Sequence, residues 1–177
     1  MAQLFAEPAA SFDDPIALLM ACHDRVRHYA GLALKLAQHL PEHGADEQAR
    51  QAAAAIVRYF DVAAPLHHQD EEEDLFPLLA ARGDERLRQF AGQTMFEEHV
   101  ELAQLWQQVR ARLVAIAAGE SAELPLELAR EFSQRYPAHA QVEDDQIYPH
   151  AASLLSTDEL TELGRKMAAR RGASTTA

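Results

Sequence analysis

Apolar residues recur along most of the chain at steps of three and four, which is the spacing of one face of an α-helix. Four long segments carry such a stripe, and proline or glycine residues separate them. A Ser-Thr-Asp-Glu sequence beginning at Ser156 is typical of a helix start and predicts a short fifth helix to about residue 171. The stripes predict the four long helices over about residues 14–40, 46–80, 84–118 and 123–155.

The connections between these helices are short, which favours an all-α fold, an up-down-up-down four-helix bundle with a short fifth C-terminal helix. Asp14 and Pro15 form a typical helix start, and Pro41 with Gly44 is expected to end the first helix. The predicted division of the chain is a flexible N-terminal tail over 1–12, the bundle over 13–156, and the short helix with a tail over 157–177.

Two helices of the predicted bundle repeat one another in sequence. Each copy follows a helix with a single histidine on its apolar stripe, at His23 and at His99. An internal repeat of helix pairs predicts a bundle with pseudo-two-fold symmetry, in which Pro65 and Pro137 mark a shared kink. The matching positions are Phe60, Pro65, His67, Glu71, Glu72, Leu75, Phe76 and Pro77 in the first copy, and Phe132, Pro137, His139, Glu143, Asp144, Ile147, Tyr148 and Pro149 in the second.

Six polar residues lie on the apolar stripes, where a bundle would bury them. His and Glu four residues apart project from one face of a helix, so that both side chains can reach a common centre. In an antiparallel bundle the helix positions place all of these groups in one layer. The six residues are His23, His67, Glu71, His99, His139 and Glu143.

Burying four imidazoles and two carboxylates is costly unless a cation compensates them, so the pattern predicts a metal site. Nitrogen and oxygen ligands suit iron or manganese, with zinc and copper as alternatives. Six protein ligands would saturate one octahedral ion. Shared between two ions, they leave each with room for a small exogenous ligand, with Glu71 and Glu143 as bridges and an oxo or hydroxo group completing the core.

Other polar residues are expected to have simpler roles. His28 and His68 lie off the stripes and are predicted to be solvated, and the run from Asp70 to Asp74 is predicted to be mostly a solvated acidic face that could also orient histidine N–H groups. Cys22 is expected to be a small residue at the edge of the core, and His150 to lie at an end of the bundle. Four tyrosines are expected to pack, with a hydrogen bond to a bound ligand as the alternative: Tyr29, Tyr59, Tyr136 and Tyr148.

Composition narrows the possible functions. The formal net charge of −12 argues against binding of nucleic acid or of anionic membranes. A single cysteine excludes an intrachain disulfide and a thiolate metal cage. The N-terminal residues lack the pattern of a signal peptide, and no segment is apolar for the roughly 18 residues that a membrane span needs. A cytoplasmic protein is therefore expected.

The sequence resembles the hemerythrin-like HHE cation-binding domains over about residues 14–155. The resemblance rests on His23, on the His67 and Glu71 motif, on His99, and on the His139 and Glu143 motif. Members of this family are four-helix bundles with a non-haem di-iron centre. The resemblance implies that the four histidines are terminal ligands of two iron ions and that the two glutamates bridge them.

The sequence departs from the oxygen-carrying hemerythrins in two places. Ala103 stands where those proteins have a further histidine, and Glu143 stands where they have aspartate. The four-His, two-Glu set is more similar to di-iron proteins of nitrosative-stress repair and to hemerythrin-like sensors of iron and oxygen. Ferritin-like oxidases use Glu-x-x-His on two helices, whereas this chain has the reverse order.

Three functions are compatible with these observations. The first is a di-iron protein that binds or senses O₂, NO or iron, with an oxidative or nitrosative stress response as its setting. The second is a di-iron oxidoreductase that reduces NO, peroxide or O₂, or supplies iron for repair of iron–sulfur clusters. No dinucleotide-binding motif is present, so an enzyme would need electrons from a separate reductase. The third is a metal buffer without turnover.

Overall fold

Six helices make up the described part of the chain, residues 11–173 of this computed structural model, and this part contains no strand. Helix α1 packs against α2 and α4, and α3 packs against the same two neighbours, so the four long helices form a closed bundle. The predicted all-α bundle with a short C-terminal helix is confirmed. The elements are α1 (Pro15–His43), α2 (47–82), α3 (85–117), α4 (Leu126–Gln146), α5 (Tyr148–Leu154) and α6 (Thr157–Arg170).

Acidic residues begin the first three helices. Asp14, Asp46 and Asp84 each accept a hydrogen bond from the backbone N–H three residues later, at distances of 3.0, 2.8 and 2.8 Å. These bonds satisfy backbone donors that have no partner inside the helix. At the start of α6, Ser156 and Glu159 form the reciprocal capping pair that the sequence predicts.

Three predicted helix boundaries are wrong. Helix α1 continues through Pro41 to His43, because a proline near the end of a helix removes only one backbone donor. The helix ends at Gly44, whose φ of +66° suits glycine and whose N–H bonds to the Leu40 carbonyl. Helix α4 begins at Leu126 rather than at about 123, directly after Pro125. It ends at Gln146 rather than at about 155, because Ile147 interrupts the helix and α5 starts anew with Pro149 in its first turn. The predicted N-terminal tail over 1–12 lies almost entirely outside the described residues, which begin at residue 11.

Proline has different consequences in the two copies of the repeat. In α2, π-helical turns over Tyr59–Ala63 and Glu71–Leu75 each end two residues before a proline, Pro65 and Pro77. A π-turn is wider than an α-turn and makes room for a proline ring that would otherwise collide with an earlier carbonyl. Helix α4, in contrast, is an α-helix on both sides of Pro137. The sequence repeat is therefore only approximate in the backbone.

Two apolar clusters fill the bundle, and a polar layer separates them. One cluster contains Val26, Phe60, Leu102 and Phe132, and the other contains Leu19, Phe76, Met95, Ile147 and Tyr148. On α1 the change from one cluster to the other occurs at His23, and on α3 it occurs at His99. Every predicted ligand therefore lies at the boundary between the clusters.

Helix α6 packs on the second cluster through Leu163 and Met167. Gly164 of this helix faces the backbone of Phe12, and a Cβ atom placed on Gly164 would lie 1.9 Å from the Phe12 carbonyl oxygen. Glycine thus permits the close approach of α6 to the segment that precedes α1. Among residues 11–173, no helix combines the length and the apolar character that crossing a bilayer requires.

Gly164→Ala is expected to lower the free energy of unfolding by roughly 1–3 kcal/mol, because the methyl group must push α6 away from Phe12. The matched control is Gly31→Ala in the middle of α1, where an added Cβ meets no atom within 4 Å. This control should stabilise the protein by up to about 1 kcal/mol through helix propensity. Urea denaturation followed by circular dichroism measures both changes, and equal effects of the two substitutions would contradict the packing described for Gly164.

Candidate metal centre

The six residues predicted from the sequence meet in one buried layer of the bundle. None of them exposes more than 6 % of its surface, and both glutamates are completely buried. They come from α1, α2, α3 and α4, so the site exists only when the whole bundle is assembled. The sequence-based placement of these residues in a single layer agrees with the structure.

The four imidazoles form two pairs. His23 and His67 bring their Nε2 atoms within 2.9 Å of one another. His99 and His139 form the second pair, with ring centroids 4.7 Å apart. Each pair joins a histidine from a helix with one predicted ligand to a histidine from a helix with two, as the internal repeat requires.

Both carboxylates span the two histidine pairs. The two oxygens of Glu71 lie 3.5 Å from His67 Nε2 and 3.6 Å from His99 Nε2. Glu143 places Oε2 at 3.1 Å from His23 Nε2, and Oε1 at 3.2 Å from His139 Nε2. Each glutamate therefore turns one oxygen toward each pair, which is the arrangement of a carboxylate that bridges two cations.

Several polar atoms that face this layer have no hydrogen-bond partner. Leaving a buried polar atom unsatisfied costs about 1–3 kcal/mol, so a cluster of such atoms requires an explanation. A cation coordinated by them provides one. The atoms are Glu71 Oε2, both carboxylate oxygens of Glu143, and the Nε2 atoms of His99 and His139.

Three of the four imidazoles are hydrogen-bonded to acidic side chains that lie on the side away from the centre of the layer. The Nδ1–H of each ring donates to a carboxylate, which turns the Nε2 lone pair toward the centre of the layer and makes it more basic. Such outer carboxylates are typical of histidines that bind metal. The three bonds join His23 to Asp144 (2.8 Å), His99 to Glu72 (2.7 Å) and His139 to Glu98 (2.7 Å).

The comparison with known proteins agrees with this geometry. The family model described as "Hemerythrin HHE cation binding domain" matches residues 14–151, which include all six residues of the layer. The chain belongs to the hemerythrin HHE family. An uncharacterized protein of Haemophilus influenzae is 31 % identical to it over 162 residues, which cover 92 % of each chain. Membership of this family implies cation binding, and the cluster of His and Glu side chains in the buried layer fits it.

The prediction that His68 is solvated is wrong, since its side chain is half-buried. Its ring stacks on that of His99 with centroids 3.8 Å apart, and His68, His99 and His139 form a group of the kind that can hold a metal ion. Periodicity assigns only one direction to the interior, but the inner face of a bundle helix is about 100° wide or more. His67 and His68 both fit on that face, which is why the stripe alone did not reveal His68.

The acidic run on α2 is also more buried than predicted. Asp70 and Asp74 expose 0 % and 7 % of their surface, because the C-terminal residues cover them. Arg170 Nη1 lies 2.8 Å from Asp70 Oδ1, and Lys166 Nζ lies 2.7 Å from Asp74 Oδ1. Glu72 and Glu73 remain partly exposed, and Glu72 orients His99 as the sequence suggested it could. The contact with α6 could not be deduced from local pattern.

Three of the four tyrosines pack inside the bundle as predicted, and the fourth contacts the buried polar layer. Tyr59 and Tyr136 donate to the backbone carbonyls of Cys22 and Leu102, at 2.9 and 3.0 Å. Tyr29 stacks on Tyr59. Tyr148 differs, since its hydroxyl donates to Glu71 Oε1 at 2.5 Å. His28 is exposed, as expected, and His150 is exposed as well. Cys22 is a half-buried free thiol.

Burial and neighbouring groups shift the pKa values of Glu71 and Glu143 in opposite directions. Burial, together with the neighbouring charge of Glu143, raises the pKa of Glu71 well above its ordinary value. Burial alone would raise the pKa of Glu143 too, but the close imidazoles of His139, His23 and His99 hold its pKa well below the ordinary value. Burial lowers the pKa of His67 to about 3, so its ring is neutral and can act as a ligand.

Binding of a divalent cation is expected to release on the order of one proton per chain near neutral pH. Burial raises the pKa of Glu71, and the neighbouring carboxylates outweigh burial and raise the pKa of His23 and His99. These shifts favour the protonated forms when no cation is present, whereas coordination requires the unprotonated forms. Affinity should therefore rise with pH and fall on acidification. Titration calorimetry in two buffers with different ionisation enthalpies measures the proton count, and identical heats in both buffers would contradict this proton release.

Proposed function

We propose that the chain binds two iron ions in this layer and uses them to bind or sense O₂, NO or iron. The single observation that supports two ions is the orientation of Glu71 and Glu143, each with one oxygen toward each histidine pair. One ion would be held by His23 and His67, and the other by His99 and His139. The two glutamates would bridge them.

The number of ligands supports a role that involves a small molecule. Each ion would receive two imidazole nitrogens and two carboxylate oxygens from the protein, and His68 lies beside the second pair. Four protein ligands leave an octahedral ion with free positions. When bound, iron in such a site supplies redox chemistry and open coordination positions for a diatomic ligand.

Among the six residues, His139 lies nearest to the surface of the bundle. A surface depression of about 250 Å³ reaches this histidine, and Glu98, Glu101, Leu102 and Arg135 are among its other lining residues. His139 is also the most exposed of the six ligands, at 6 %. The rest of the layer lies between the two apolar clusters, which would exclude bulk water from the ions.

The protein as isolated, or reconstituted with Fe²⁺ and then exposed to air, is expected to contain about two irons per chain, with a near-ultraviolet absorption that bleaches on reduction and returns in air. His99→Ala should lower the iron content to about one or less, because it removes a ligand that faces both bridging carboxylates. Elemental analysis and absorption spectra measure both effects.

The matched control is His28→Ala, which removes an exposed histidine of α1 and should leave the iron content unchanged. Circular dichroism establishes that both variants fold. One zinc ion per chain in place of iron, or equal iron loss in the two variants, would contradict the proposed centre.

The same iron-loaded protein distinguishes binding from catalysis. A spectral change that saturates at a fixed amount of added NO or O₂ supports a binding or sensing protein. Continuous consumption of NO, peroxide or O₂ with an added reductant would instead support the alternative, a di-iron oxidoreductase that works with a separate reductase. Iron that neither gas perturbs would indicate a buffer.

A further inference from the structure

Tyr148 contacts one predicted glutamate ligand, Glu71, and one predicted histidine ligand, His23. Its hydroxyl donates to Glu71 Oε1 at 2.5 Å, and the same oxygen lies 3.3 Å from His23 Nε2. Its ring stacks on the His23 ring, with centroids 5.3 Å apart and an interplanar angle of 10°. Since the side chain is 2 % exposed, these contacts are made without competition from water.

The backbone fixes the position of Tyr148. Helix α4 ends at Gln146, and Ile147 interrupts the helix before α5 begins at Tyr148. Ile147 is itself completely buried, and its N–H still bonds to the Glu143 carbonyl at 3.0 Å. A short, anchored segment thus connects Tyr148 to one bridging glutamate, while its hydroxyl reaches the other across the bundle.

The internal repeat shows that this hydroxyl has no counterpart. The residue equivalent to Tyr148 in the first copy is Phe76, which packs on His99 with ring centroids 5.9 Å apart. An aromatic ring therefore covers one histidine of each pair. The hydrogen-bond donor exists only on the side of His23 and His67.

We propose that Tyr148 is a positioning residue that holds the Glu71 oxygen facing His67 and so makes the two metal positions inequivalent. The proposal rests on the two-ion centre proposed above. A hydrogen bond to a coordinating carboxylate fixes its rotamer and changes its strength as a ligand. Because the bond is made to Oε1 only, its effect should fall on the ion between His23 and His67.

Tyr148→Phe tests this role by removing one oxygen atom and little volume. Anaerobic titration with Fe²⁺ is expected to show two binding steps in the unmodified chain. In the variant, one step should weaken by roughly 10-fold or more while the other stays within a factor of about two. Mössbauer spectra of the ⁵⁷Fe-loaded proteins should show two iron environments, of which the substitution shifts one.

Tyr136→Phe is the matched control, because it also removes a buried tyrosine hydroxyl, in this case one that donates to the Leu102 carbonyl. It should change neither binding step nor either iron environment. Equal weakening of both steps by Tyr148→Phe, or no change in either, would overturn the proposal. A visible phenolate-to-iron absorption band that disappears in Tyr148→Phe would also overturn it, since Tyr148 would then be a ligand.

These outcomes are separable from failure of the two-ion centre itself. If the unmodified chain binds fewer than two Fe²⁺ ions, the proposed function fails before any variant is compared. If it binds two, the comparison of Tyr148→Phe with Tyr136→Phe depends only on the hydroxyl that faces Glu71.

Discussion

Two carboxylates buried in an apolar bundle are the constraint on which the rest of this structure depends. Glu71 and Glu143 lie where apolar packing alone would exclude a charge, and burial of an uncompensated carboxylate is costly. The surrounding histidines reduce that cost only partly, since several ligand atoms have no partner. The division of the core into two apolar clusters, the outer acidic residues and the closed bundle keep these groups together in one layer, which fits the binding of a cation.

Much of this arrangement could be predicted from sequence because it depends on helical periodicity. The stripe on α1 passes through Leu19, His23 and Val26, and a polar residue at such a position must be buried if the helix packs at all. Position along each helix then determines the layer, since every residue adds about 1.5 Å. The repeat of the His67 and Glu71 motif at His139 and Glu143 made an accidental pattern implausible.

The features that sequence did not reveal depend on contacts between distant segments or on departures from α-helical geometry. Nothing near Asp70 in sequence indicates that Arg170 and Arg171 pair with it, because that contact requires α6 to fold back onto α2. The apolar stripe places His68 in solvent because a stripe one residue wide cannot describe an inner face that accommodates two neighbouring histidines. The π-turn over Glu71–Leu75 changes the helical register from Glu71 onward. The 3.6-residue period on which such predictions rely is therefore weaker in this part of α2.

The differences between the two halves of the repeat lie next to the ligands rather than in them. Both halves supply the same predicted donors, yet His68 corresponds to Ala140 and Tyr148 corresponds to Phe76. The pair formed by His23 and His67 has the Tyr148 hydroxyl beside it, whereas the pair formed by His99 and His139 has a third imidazole, that of His68. In a low-dielectric layer such neutral groups act strongly, because little water is present to screen them. Two ions held by matching ligands would then differ in affinity and in reactivity through residues that need not coordinate them.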